Sequence, residues 1–186
     1  MTPPNRGLQT SVPVIETRRL RLRGHRRDDL PQCVAMWSDP IVTWFIGGTP
    51  SGEQRTWARL LAYVGHWVLM GFGYWAIEER ETSTFVGEIG FADFKRDGAP
   101  LLRAGPELGF ALAPSFHGKG YATEAVRAAL AWGNEQLPRG RCVCLVDEEN
   151  AASLRVLANV GFEVLQRSSF NGRPVVYLCS PIGTER

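Results

Sequence analysis

The residues from Glu107 to Glu124 constrain this chain more than any other stretch. Leu108, Phe110 and Leu112 alternate with smaller side chains, which is the period of a strand with one buried face. Pro114 then ends the ladder, because it has no N–H to donate. Beyond Gly118-Lys119-Gly120 the period changes: Tyr121, Ala125, Ala128, Ala129 and Trp132 share one face of a helix. A strand therefore runs through a glycine turn into a helix N-terminus. The glycines let successive N–H groups point inward together, and the helix dipole adds partial positive charge. Such a turn suits phosphate oxygens.

Spacing narrows the choice of phosphate site. A P-loop needs glycine five residues before its Gly-Lys pair and Ser or Thr after it. Here those places hold Ala113 and Gly120. A dinucleotide-binding turn needs a last Gly or Ala where Thr123 stands, and an acid on a strand about 20 residues on. A tight turn without ligand stays open on this stretch alone. A second motif decides: after the apolar strand Cys142 to Val146 comes Asn150-Ala-Ala-Ser153, then a short helix closing at Gly161-Phe162, with Gly161 as C-cap.

With both motifs in order, the sequence resembles the GNAT superfamily of acetyl-coenzyme A-dependent N-acetyltransferases. The family's phosphate loop, Gln/Arg-x-x-Gly-x-Gly/Ala, is matched by His117-Gly-Lys-Gly120-Tyr-Ala122, with His at its first place. The Asn after a strand, a small residue three later and Gly-Phe at the helix end match its second signature. Glu16-Thr-Arg-Arg-Leu20, Gly87-Glu-Ile-Gly90 and Glu107-Leu-Gly-Phe110 look like the branch of ribosomal-protein N-terminal acetylases. The resemblance runs from about Glu16 to Cys179. It implies an α+β GNAT fold: one twisted, mostly antiparallel mixed sheet of six to seven strands, about four helices, and central strands that splay apart.

Composition fits a single domain. A chain of 186 residues buries a proper core without staples. A formal net charge of +2, with Lys and Arg spread along the chain, implies no nucleic-acid or membrane partner. The four cysteines show no Cys-x-x-Cys spacing and no leader precedes them, so reduced thiols and a cytoplasmic location are expected. Leu60 to Ile77 carries no formal charge and approaches the length of a membrane span. Yet a helical period through Trp57, Leu60, Leu61, Val64 and Trp67 gives way at Gly71-Phe-Gly73 to alternation, so a helix, a break and a strand are expected.

Residues 1–15 read as a poorly ordered extension, 16–180 as the domain and 181–186 as a tail. Leu20 and Leu22 alternate with arginines in a first strand with one wet face. Helices are expected over 27–37, with Leu30, Val34 and Trp37 inward, and over 51–70, with Ser51 as N-cap. A loop should occupy 42–48. Strands over 72–79 and 85–94 precede the one at Glu107, which makes the first half antiparallel, unlike an alternating nucleotide-binding fold. Asn171-Gly172 marks a final hairpin.

The resemblance implies acetyl transfer from the coenzyme thioester to an amine by direct attack, with acetyl-coenzyme A as cosubstrate. Diphosphate would rest on the N–H groups of Gly118, Lys119, Gly120, Tyr121 and Ala122, beside His117. Pantetheine would lie along Phe110, Ala111 and Leu112, facing Asn150, which could instead simply cap its own helix. Glu107 or Glu88 could take the amine's proton, or either could be an arginine partner. Ser153 stands as donor to the departing thiolate, because Leu157 occupies the place where many family members carry Tyr. Trp44, Phe45, Tyr63, Trp67 and Phe170 could line the acceptor groove. His25, His66 and His117 lack ligand-like spacing, so no metal is expected. The acceptor could be a protein N-terminus, an aminoglycoside or another small amine. The chain leaves a homodimer open, and also a catalytically weak coenzyme A-binding protein.

Overall fold

Alternating apolar residues become one continuous sheet. The computed structural model describes residues 11–183. The strands are β1 (Ile15–Glu16), β2 (Leu20–Arg23), β3 (Tyr74–Glu79), β4 (Phe85–Ala92), β5 (Glu107–Leu112), β6 (Gly140–Asp147), β7 (Glu163–Phe170) and β8 (Arg173–Ile182). Their order across the sheet is β1-β2-β3-β4-β5-β6-β8-β7. The sheet is wider than the six to seven strands expected, because short β1 extends its edge by pairing Ile15 with Leu22. At the chain's other end β8 continues through Pro181 and Ile182, which pair with Arg141 and Gly140. Residues 1–10 and 184–186, part of the expected extension and tail, lie outside the described residues.

Pairing is antiparallel from β1 through β5. The contact of β5 with β6 is parallel. This order excludes the doubly wound nucleotide-binding alternative, which needs parallel strands before Glu107. Asn171 (φ 51°) and Gly172 (φ 76°) both take left-handed backbone between β7 and β8, as a two-residue hairpin turn requires.

Among the described residues five helices flank the sheet: α1 (Leu30–Trp37), α2 (Pro40–Thr43), α3 (Glu53–Met70), α4 (Tyr121–Gln136) and α5 (Ala151–Ala158). Short α2 runs into the first two residues of the loop expected over 42–48; Asp39 Oδ1 accepts from Ile41 N–H at 2.8 Å and caps it. The N-cap of α3 is Gly52 rather than Ser51, whose backbone N–H instead donates to the Trp37 carbonyl. Gly71 ends α3 in the left-handed region at φ 73°. The uncharged run is thus a helix, a turn and β3, and no helix among the described residues is long and apolar enough to cross a membrane.

The buried stripe of α3 is Thr56, Leu60, Tyr63 and Trp67, while Trp57, Leu61 and Val64 are exposed. Two neighbouring apolar stripes share the helical period, and tertiary contacts choose between them. Trp67 Nε1 donates to the Tyr74 carbonyl at 3.0 Å, and its ring meets Trp75 and Trp132 edge-on. The helix is rotated to seat it. Trp67 therefore belongs to the core and not to an acceptor groove.

Arg23 departs from its expected wet face. It is buried and holds Asp29 through both terminal nitrogens at 2.7 Å, and Glu78 through Nε at 2.7 Å. Burial would push the Asp29 carboxyl up, but the Arg23 bonds and the Arg26 N–H outweigh it and hold it below the usual range. Removing the guanidinium would strand two buried carboxylates. Arg23→Ala is expected to lower the unfolding free energy by about 3–5 kcal/mol in urea titration. A loss under about 1 kcal/mol would show a solvated cluster.

Candidate active site

The site begins with a strand that is paired on one side only. β5 runs the full length of β4, from Ala92↔Glu107 to Gly87↔Leu112, yet meets β6 only at Glu107↔Val143. Val143 N–H donates to Pro106 O at 3.0 Å, and beyond it the strands part. In an antiparallel ladder alternate residues point their polar backbone to opposite neighbours. Ala113 N–H donates to Val86 O, so the odd-numbered residues face β4. The even-numbered ones face the gap: Leu108 O accepts from the Cys144 thiol, and Leu112 O from His117 Nε2 at 2.8 Å. Phe110 lies between them, its N–H and C=O without a protein partner among the described residues.

The glycine turn continues this open edge. Gly118 (φ 73°) and Gly120 (φ 77°) are left-handed and exposed. The first helical bond returning to the turn is Glu124 N–H to Gly120 O. The N–H groups of residues 118–123 have no protein acceptor among the described residues. Behind them, Glu124 accepts from Thr17 Oγ1 (2.6 Å), Arg19 N (2.8 Å) and Arg19 Nε (2.7 Å), while Arg19 Nη1 donates to Lys119 O. Burial would push the Glu124 carboxyl up, but these bonds hold it below its usual range. Its charge therefore braces the turn. Tyr121 contributes backbone only, because its hydroxyl donates to Glu79 and its ring is buried. The exposed His117 ring fastens the turn to the end of β5.

A cavity of about 570 Å³ fills the gap and opens onto the other sheet face. Asn150, Ser153 and Leu157 of α5 form one wall. Asn150 Oδ1 accepts from Ser153 N–H at 3.1 Å, so it caps α5 while its amide nitrogen stays available. The Ser153 hydroxyl has no protein partner among the described residues. Leu157 is fully buried. Across the gap, Glu88, Glu107, Tyr63 and Tyr74 form the opposite wall.

The two candidate carboxylates differ. Glu107 is clamped by Arg96, Nε to Oε2 at 2.8 Å and Nη2 to Oε1 at 2.9 Å. Glu88, fully buried, accepts through Oε2 from Trp37 Nε1 (2.9 Å) and the Tyr63 hydroxyl (3.2 Å), while Oε1 has no partner. Burial first, then the negative charge of Glu88, pushes Tyr63 well above its ordinary value, so its hydroxyl stays a donor. Tyr74 stacks on Tyr63 with ring centroids 4.2 Å apart. A Cβ at Gly109 would fall 2.1 Å from the Tyr74 hydroxyl oxygen, so only glycine admits that ring beside β5.

Phe45 and Phe170 line the cavity as expected from sequence. Trp44 does not: its exposed ring lies beside Arg173, which donates to the Trp44 carbonyl at 2.9 Å. Sequence reading also missed Arg55, Arg59, Arg96, Arg173 and Tyr74 in the walls. Arg55, Arg59 and Tyr63 stand four apart on α3, a row that the helical period could have revealed.

Ligand atoms of His25, Cys33 and Glu88 lie within 4.8 Å of one another, a grouping that sequence spacing had not suggested. Burial first, then Glu88, pushes the Cys33 thiol up. Both His25 ring nitrogens are inaccessible and unpartnered, and the ring rests 5.2 Å from that of Tyr63.

A family model described as an acetyltransferase (GNAT) domain matches residues 19–163. The chain belongs to the GNAT acetyltransferase family. It is 29% identical over 148 residues to the N-acetyltransferase p20 of Bacillus licheniformis, covering 79% of this chain and 80% of that one. A GnaT-family acetyltransferase structure from Bordetella pertussis shares 29% identity with a TM-score of 0.79, over 90% of this chain and 98% of that one. Two structures at 16% identity share the fold. One is a spermidine N-acetyltransferase from Vibrio cholerae (TM-score 0.72; 89% and 97% covered), the other a ribosomal-protein-S5-alanine acetyltransferase from Vibrio fischeri (TM-score 0.71; 90% and 96%). The family read from the two motifs is thus the family of the chain.

Burial lowers the His25 pKa from 6.5, against opposing pulls from Glu88 and Asp29 and a reinforcing one from Arg23. The unfolded chain then binds a proton as pH falls through 6.5 while the folded chain does not, so stability drops with acidity below that point. The urea midpoint is expected to fall from pH 7.5 to 5.5 in the wild type and to stay flat in His25→Phe. Equal slopes in both would contradict it.

Proposed function

We propose that this GNAT chain moves the acetyl group of acetyl-coenzyme A to a primary amine by direct attack within a ternary complex. One observation carries the reading: the unpartnered backbone of Phe110 leads directly to the six free N–H groups of residues 118–123, across from Asn150 and Ser153. A diphosphate with a peptide-like arm matches that line of donors and acceptors in both charge and hydrogen-bonding order. When bound, the coenzyme supplies an activated acetyl thioester. The turn holds its phosphates, with Lys119 adding charge, and His117 keeps the turn against β5. Phe110 pairs with the arm, and its N–H can polarise the thioester carbonyl. Asn150 donates its amide from the other side.

Glu88 is the better base. Glu88 lines the cavity and its buried Oε1 has no hydrogen-bond partner, whereas both oxygens of Glu107 are engaged by Arg96. The amine's proton passes to Glu88, directly or through one water, as the C–N bond forms and the C–S bond breaks. Ser153 hydrogen-bonds the sulfur that leaves as thiolate; apolar Leu157 cannot do so. Glu107 holds Arg96 in the wall and acts as a positioning residue. Phe45, Tyr63 and Phe170 flank the acceptor. Neighbours sharing the fold are named for acceptors as different as spermidine and a ribosomal protein's alanine. The fold therefore leaves the acceptor to the charges of this particular groove.

Thiol release across a panel of amines tests the assignment. Glu88→Gln is expected to reduce kcat about 10²–10⁴-fold with coenzyme A affinity retained. Ser153→Ala should slow turnover less, again with the coenzyme's Kd unchanged. If Glu88→Gln keeps full turnover while Glu107→Gln loses it, the base is misassigned.

A further inference from the structure

The charges around the cavity are not balanced in kind. Arg96 is paired with Glu107 at 2.8 Å, and Arg173 with Asp147 at 2.8 Å. Arg55, Arg59 and Glu88 also line the cavity, and none of the three has an ion-pair partner among the described residues. The Arg59 guanidinium carbon sits 3.5 Å from the centre of the Trp37 ring. That stacking fixes its plane, yet its Nη1 is inaccessible to solvent and meets no acceptor. A guanidinium without a counter-charge is costly at a cavity wall, and the part of Arg59 that lines the cavity can take an anion.

Trp37 links this donor to the proposed base. Its ring face carries Arg59, while its indole N–H donates to Glu88 Oε2. Along α3, Arg55, Arg59 and Tyr63 follow at one-turn spacing, and the Tyr63 hydroxyl reaches the same Glu88 oxygen. One helix face thus presents two guanidinium groups and then a hydroxyl–carboxylate pair. A polycation would bring positive charge against Arg55 and Arg59. An amine carrying a negative group finds a partner at each end.

We infer that the acceptor carries an anionic group, carboxylate or phosphate, which seats on Arg59 and Arg55 while its amine faces Glu88. The inference rests on the acetyltransferase reading above and names the acceptor class for the same cavity. A free amino acid, an aminoalkyl phosphate and an acidic peptide N-terminus all carry this chemistry.

Matched acceptors that differ only in the anion test it. The pairs are β-alanine with β-alaninamide, phosphoethanolamine with ethanolamine, and a Ser-Asp peptide with its Ser-Asn counterpart; spermidine serves as polycation. Binding to the coenzyme A-saturated protein is read by calorimetry and turnover by thiol release from acetyl-coenzyme A. At least one anionic member should exceed its neutral partner about tenfold or more. The responding pair identifies the source. Arg59→Gln should abolish that preference, Arg59→Lys restore part of it and the exposed Arg55→Gln weaken it, all with acetyl-coenzyme A affinity unchanged. Neutral members or spermidine matching or surpassing every anionic member would overturn the inference, as would a preference that survives Arg59→Gln. Failure of the wild type to bind acetyl-coenzyme A would instead defeat the acetyltransferase reading.

Discussion

The parting of β5 from β6 is the constraint on which the rest of the structure depends. A central strand normally satisfies its backbone on both sides, and an unpaired buried peptide group costs about as much as a lost hydrogen bond. Here β5 keeps a complete ladder with β4 and β6 keeps one with β8, so each half of the sheet is rigid in its own right. The single pairing of Glu107 with Val143, with the bond from Val143 N–H to Pro106 O, joins the halves at the base of the gap. The Cys144 thiol and the His117 ring each cover one exposed carbonyl of β5, above and below Phe110. What remains open is the N–H and C=O of Phe110 and the N–H of Leu112, followed by a turn whose glycines orient six more donors. In the proposed function that continuity is the track the coenzyme follows.

Strand parity then separates the tasks on the two sides of β5. Leu108 and Leu112 send their side chains into the main core beside α4, while Glu107 and Ala111 face α1 and α3. Gly109, on the same side, leaves space that the Tyr74 hydroxyl fills. Paired residues on β4 follow the same face, which places Glu88 opposite Ala111 and within reach of Trp37 and Tyr63. The cavity is therefore bounded by backbone donors on one side and by titratable side chains on the other. In the proposed mechanism the acyl donor and the amine enter from different directions and meet at β5. The buried Arg23–Asp29–Glu78 cluster lies at the far edge and fixes β2 and the start of α1 beneath His25.

Much of this was legible in the sequence, for physical reasons. Period-two alternation at Leu108, Phe110 and Leu112, glycines at 118 and 120 and an Asn capping a helix at 150 are local signals, and each corresponds to local geometry. Long-range choices were not legible. Trp67 and Trp57 both satisfy a helical period, and only the ring cluster with Trp75 and Trp132 makes Trp67 the buried one. Glu107 and Glu88 look equivalent as single acids on strands; Arg96, from a loop, engages both oxygens of Glu107 and sets the two apart. Arg23 reads as the wet face of an amphipathic strand until Asp29 and Glu78 arrive from other elements. The His25 contact with the Glu88 neighbourhood joins residues far apart in sequence, which no spacing rule detects.

Backbone amide exchange with and without coenzyme A tests the central claim most directly. In the free protein the Phe110 amide should exchange quickly, while those of Gly109 and Ala111, bonded to β4, should be protected. Saturating coenzyme A should then slow Phe110 and the amides of residues 118–123 and leave Gly109 and Ala111 unchanged. A Phe110 amide already protected in the free protein would mean that β5 and β6 are zipped together. Unaltered exchange at Phe110 and in the turn, with coenzyme A bound, would place the coenzyme elsewhere and contradict the account.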